Sequence, residues 1–177
     1  LPIAKVAEKS KRPENFLGMH YFSPVHKMPL LEVIVTDKTS DHAAAVAVEV
    51  GIKQGKTVIV VRDSPGFYTT RILTAMTDEA SILALQGVGL HRIDQAMQGF
   101  GFPVGPITLI DEVGLDVAAH IAEDLGKAFG SRLCSGKPEF LAKFVEAGML
   151  GRKSSQGFFL YEKTPSRKGL SFLSKKN

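Results

Sequence analysis

Cysteine is nearly absent: Cys134 is the only one in 177 residues. It cannot form an internal disulfide and has no companion thiol for a metal site, which excludes a disulfide-stapled scaffold and a zinc ribbon and makes reducing conditions the expectation. Long apolar runs are missing too. No stretch approaches the roughly 18 residues of a membrane-spanning helix, and the opening LPIAKVAEKSKRPE has no apolar core of the signal-peptide kind. His26, His42, His91 and His120 show no HExxH spacing, so no metal is expected. No G-x-S-x-G elbow is present for a serine hydrolase. Gly51-Ile52-Lys53-Gln54-Gly55-Lys56-Thr57 is one residue short of a phosphate-binding loop and runs from helix to strand, the reverse of the required order. GVGLHR from Gly87 and GFGFPV from Gly99 lack the third glycine of a dinucleotide fingerprint, and neither follows a strand.

What is present suits a globular fold. With 44% hydrophobic and 23% charged residues, the chain can bury a core as one domain or two small ones. Its net charge is +4, and much of the excess sits in Lys163, Arg167, Lys168, Lys175 and Lys176. These read as a solvated tail, so no nucleic-acid partner is expected. Leu1 is not a methionine, and the first apolar residues arrive without a turn or cap, so the chain reads as part of something longer.

FLGMHYF (16–22) and LLEVIV (30–35) are apolar runs separated by SPVHKMP, whose prolines forbid one continuous strand. Two buried strands with a loop between them are expected. Ser40 is placed to cap a helix over 41–54 with Ala44, Val48 and Ile52 on one face and Gly55 closing it. The β-branched run TVIVV (57–61) is a strand. This order predicts the edge of an α/β sheet. Beyond Asp63-Ser64-Pro65-Gly66 the strand period disappears. Helices are expected over 67–86, ended by Gly87, over 91–98, from Asp116 as N-cap to about Phe129, and from Pro138 to about Ala147. The domains therefore read as 1–62 (α/β), 63–162 (mainly helical) and 163–177 (a tail without pattern).

Two residues stand out. His20 lies in an apolar strand just before a proline-containing loop, where strand ends deliver chemistry. Glu32 is a carboxylate in an equally apolar strand, where an unpaired charge is costly and demands a partner. One reading is a His20–Glu32 dyad, in which the carboxylate favours the imidazolium and fixes its tautomer. The other is a satisfied core histidine beside a solvent-facing glutamate.

GMHYFSPVHKMPLLEVI (18–34), RDSPGFYTTRIL (62–73), GFPVGPITLIDEVGLD (101–116) and GRKSSQGFFLY (151–161) closely resemble the successive signatures of 3-hydroxyacyl-CoA dehydrogenases, from Leu1 to Tyr161. The resemblance implies a remnant of a doubly wound Rossmann domain followed by an all-α dimerisation domain. It implies NAD as cofactor, oxidation of a 3-hydroxyacyl-CoA substrate, and His20 and Glu32 as the catalytic pair. Thr70 stands where monofunctional members have an asparagine near the acyl group, and Ser23 replaces the asparagine of the HFFNP form. Both are implied substrate contacts. Lys153 matches a lysine that approaches the cofactor. HYFSP with GFYTTR is most similar to the α subunits of mitochondrial trifunctional enzymes of fatty-acid β-oxidation. That implies a mitochondrial location, a thiolase β subunit as partner, and an NAD-phosphate motif and hydratase domain before Leu1, without which this stretch is expected to be inactive. From another class comes a dimerisation or scaffold module, in which Ile72, Met76, Leu83, Ile121, Leu125 and Phe140 face a second copy; the alternative is an ordinary intradomain core.

Overall fold

The structure is a computed structural model that describes residues 2–133 and 138–162. The expected tail over 163–177, with its cluster of basic residues, and Cys134 lie outside the described residues.

A three-stranded mixed sheet comes first, in the order β1 (Gly18–Tyr21), β2 (Leu30–Val35) and β3 (Thr57–Arg62). β1 pairs antiparallel with β2, with His20 directly opposite Glu32, and β2 pairs parallel with β3. β2 is the middle strand, and Leu31, Glu32, Val33 and Ile34 are all buried, as expected for a strand covered on both faces. A short helix, α1 (Ile3–Ala7), packs Ile3 beside Gly18; five residues carry too little periodicity to be foreseen. Helix α2 (Asp41–Lys53) covers the Leu31 face and begins where expected, with the Ala43 N–H donating to the Ser40 hydroxyl at 3.2 Å.

The rest is helical: α3 (Thr69–Leu85), α4 (Leu90–Phe100), α5 (Pro106–Val113), α6 (Leu115–Phe129) and α7 (Pro138–Glu146), then a 3-10 turn at Arg152–Ser154. Ala80, Ile93 and Ile107 form its core, with Leu90, Phe158 and Phe159 packed on them. Between α4 and α5 the chain turns so tightly that a Cβ on Gly105 would stand 2.3 Å from the Asp94 carboxylate. That closeness lets Asp94 accept from Ile107 N (2.8 Å) and Thr108 N (3.0 Å), satisfying the free N-terminus of α5 from a neighbouring helix.

Two helix starts differ from expectation. α3 begins at Thr69 rather than at residue 67, because Gly66 and Phe67 both take positive φ (71° and 47°) in a turn closed by Phe67 N donating to Ser64 O at 2.9 Å. Asp116 is not the N-cap of α6. Gly114 is, and Asp116 sits inside the first turn, where a carboxylate suits the helix dipole as it would at the cap. Among the described residues no helix is long and apolar enough to cross a membrane.

Candidate active site

The antiparallel register puts His20 and Glu32 on the same face of the sheet as cross-strand neighbours. Their side chains meet, with His20 Nδ1 2.6 Å from Glu32 Oε2. Glu32 is 0% exposed, so it must be satisfied from within. Three further donors do this: Tyr68 N (3.1 Å) and Thr69 N (2.9 Å) to Oε1, and Thr69 Oγ1 (3.0 Å) to Oε2. All three come from the N-terminal end of α3, where unpaired N–H groups and the positive helix end favour an anion. As the N-cap and first residue of α3, Tyr68 and Thr69 have no intrahelical partner for these N–H groups, which leaves them for Glu32.

Burial pushes the Glu32 carboxyl up, but the hydrogen bonds from His20, Thr69 and Tyr68 together outweigh it and hold the group below its usual range. It is therefore an anion at neutral pH. An ionised carboxylate only accepts, so His20 Nδ1 carries the hydrogen and Nε2 presents its lone pair. Among the described residues Nε2 has no hydrogen-bond partner. The imidazole packs against Phe22 (4.6 Å between centroids) and Phe67 (5.7 Å). Holding Phe67 there takes the left-handed backbone conformation, which costs a non-glycine residue on the order of 1 kcal/mol.

His20, 35% exposed at its side chain, opens onto a cavity of about 280 Å³ with largely apolar walls. Thr70, Leu73, Thr74, Thr77, Ser81 and the ionisable Asp78 line it along α3, against Ile110 and Val113 of α5 and Ile121 of α6. Thr77 and Ser81 donate their hydroxyls to Thr74 O (3.1 Å) and Thr77 O (2.8 Å) of their own helix, so their polar groups are satisfied beside an apolar space.

Of the expected site residues, the fold brings His20, Glu32 and Thr70 together. Ser23 is exposed at the head of the β1–β2 loop and is not among the residues lining the cavity. Lys153 also lies off the cavity wall and pairs through Nζ with Asp116; that bond holds the Asp116 carboxyl below its usual range. The Tyr68 and Thr69 donors went unread in the sequence. The signal for them was the buried charge of Glu32, which asks for more partners than one histidine supplies. Among the described residues no three metal-ligating side chains converge.

The chain matches two family models: "3-hydroxyacyl-CoA dehydrogenase, NAD binding domain" over residues 1–64 and "3-hydroxyacyl-CoA dehydrogenase, C-terminal domain" over residues 66–161. A fatty acid oxidation complex subunit alpha from Idiomarina loihiensis is 49% identical over 164 residues, covering 93% of this chain and 23% of the relative. One from Shewanella loihica is 50% identical, covering 91% and 22%. The chain thus spans less than a quarter of the length of these relatives. Among solved structures, (S)-3-hydroxybutyryl-CoA dehydrogenase PaaH1 from Ralstonia eutropha superposes with a TM-score of 0.85 at 36% identity, over 92% of this chain and 58% of that one. The relatives named fatty acid oxidation complex subunit alpha come from Idiomarina and Shewanella. These are bacteria, which have no mitochondria, and that overturns the expected mitochondrial location.

Proposed function

This chain belongs to the 3-hydroxyacyl-CoA dehydrogenase family, and we propose that it carries the general base, His20, of an NAD-dependent oxidation of L-3-hydroxyacyl-CoA to 3-ketoacyl-CoA. The observation that supports this most is the 2.6 Å contact that a fully buried, anionic Glu32 makes with His20, which itself lines an apolar cavity. His20 Nε2 takes the proton of the 3-hydroxyl, and Glu32 steadies the imidazolium that forms. Thr70 meets the acyl end of the substrate from the cavity wall, Ser23 from the exposed β1–β2 loop outside it, and the cavity along α3 takes the carbon chain.

The residues present fit the reacting end of NAD, where Nε2 stands open beside an apolar space; the chain has no G-x-G-x-x-G turn to cradle the phosphates. NAD held there would supply the acceptor for the hydride that leaves C3. Lys153 serves the cofactor side. The sheet is the closing part of a doubly wound Rossmann domain over 1–62, and 63–162 is the helical domain. In the intact polypeptide, Glu32→Gln is expected to lower kcat by about 10²–10⁴-fold with little change in KM for NAD. Steady-state rates that match those of the unsubstituted protein would remove the pairing from the mechanism.

A second copy is the favoured partner of the helical part. On α3, Ile72 (53% exposed) and Leu83 (41%) face outward, whereas Leu125, also expected at this surface, is buried in the core. Sedimentation of the intact polypeptide should show a dimer that Ile72→Glu with Leu83→Glu dissociates; a monomer at micromolar concentration would rule this surface out. A thiolase β subunit is the proposed partner of the larger assembly, in keeping with relatives named as subunits of a fatty acid oxidation complex.

A further inference from the structure

Helix α3 has no side-chain cap of its own. A threonine in a first turn commonly bonds to nearby backbone, yet the Thr69 hydroxyl goes to Glu32 Oε2 at 3.0 Å, the same oxygen that accepts from His20 Nδ1 at 2.6 Å. The two backbone donors sit on the other oxygen, Oε1. The oxygens therefore differ in role: Oε1 ties Glu32 to the helix, and Oε2 is shared between the imidazole and one removable hydroxyl. Thr69 does not line the cavity, although its neighbour Thr70 does. It touches no reacting group and acts only through Glu32.

We propose that Thr69 is a positioning residue that tunes His20 through Glu32, a reading that rests on the His20–Glu32 dyad being the catalytic pair. Its hydroxyl turns Oε2 toward the imidazole and draws off part of that oxygen's acceptor strength. An oxygen relieved of this second donor binds Nδ1–H more strongly, which favours the imidazolium over the neutral imidazole. The Thr69 hydroxyl thus works against the imidazolium and in favour of the imidazole that accepts the proton. The bond also joins the sheet to the helical part, so the tuning holds only while α3 is seated on β2.

The test is the pH dependence of kcat/KM for 3-hydroxyacyl-CoA oxidation in the intact polypeptide carrying Thr69→Val, Thr69→Ala or Thr69→Ser. Val keeps the shape without the hydroxyl, Ala removes both, and Ser keeps the hydroxyl alone. The acid limb should move up by about half a unit to one unit in Val and Ala, with the high-pH plateau within about threefold of the starting protein. Ser should restore the original profile. An unmoved acid limb in Val and Ala overturns the proposal, as does an equal loss at every pH in all three variants, which is the mark of a merely structural threonine. His20→Gln separates the two levels. If it keeps turnover, the dyad reading falls and this inference with it; if it abolishes turnover while the Val limb stays put, only the role of Thr69 is refuted.

Discussion

Glu32 in the sheet and Asp111 in the helical part are buried alike, at 0% and 1% exposure, and both collect donors from chain segments remote in sequence. Asp111 accepts from Phe158 N (2.8 Å), Phe159 N (2.9 Å) and the Tyr161 hydroxyl (2.8 Å). None of these gives up a proton near neutral pH: the Tyr161 hydroxyl is pushed well above its ordinary value, first by burial and then by the hydrogen bond to Asp111 and its charge. Its surroundings are closed, and the bonds clamp the segment after the 3-10 turn onto α5. Glu32 differs in one partner, an imidazole whose other nitrogen faces a cavity. Burial and a full set of hydrogen bonds thus do not distinguish the proposed catalytic acid from a structural one; an imidazole partner with an open face does.

Substitution at the two acids should separate these roles. The largest effect is the turnover lost in Glu32→Gln, because the charge opposite the imidazolium disappears while shape is kept. Next comes Asp111→Asn. One acceptor oxygen becomes an amide NH2, a donor that faces donors, so the cost falls on stability, at about 3 kcal/mol, read as an earlier urea midpoint of the intact polypeptide. Its turnover per folded molecule should stay within about twofold, since Asp111 is no part of the proposed proton path. A loss of turnover in Asp111→Asn without a loss of stability would erase the distinction between the two sites.

The same contrast explains what was legible beforehand. The runs 16–22 and 30–35, the Ser40 cap and the β-branched 57–61 announce themselves through local pattern and agree with the strands and helix found. Glu32 was conspicuous because a carboxylate inside LLEVIV has no cheap place to go. Its facing His20 depended on register, and a slip of one residue would have turned it to the α2 side. The donors on Glu32 and Asp111 are largely backbone N–H groups, which carry no side-chain signature and become available only through tertiary geometry. Asp94, which caps α5 from α4, was missed for that reason, and so was the late start of α3, set by two left-handed residues at 66 and 67.

A third acid extends the comparison to the surface and carries the smallest expected effect. Asp116 pairs with Lys153 where both side chains remain open to water, at 38% and 45% exposure. Solvent and salt screen such a pair, so Lys153→Ala should leave the melting temperature of the intact polypeptide unchanged within error. If Lys153 also serves the cofactor, the same variant should raise KM for NAD about two- to fivefold with kcat nearly constant, because only binding common to ground and transition state is lost. Asp116→Asn, which releases the lysine, should move KM the other way. Opposite shifts from the two partners are difficult to obtain from a structural defect, which would raise KM in both. An unchanged KM in Lys153→Ala would leave the pair as a surface contact alone, and the cofactor role would pass to residues other than Lys153.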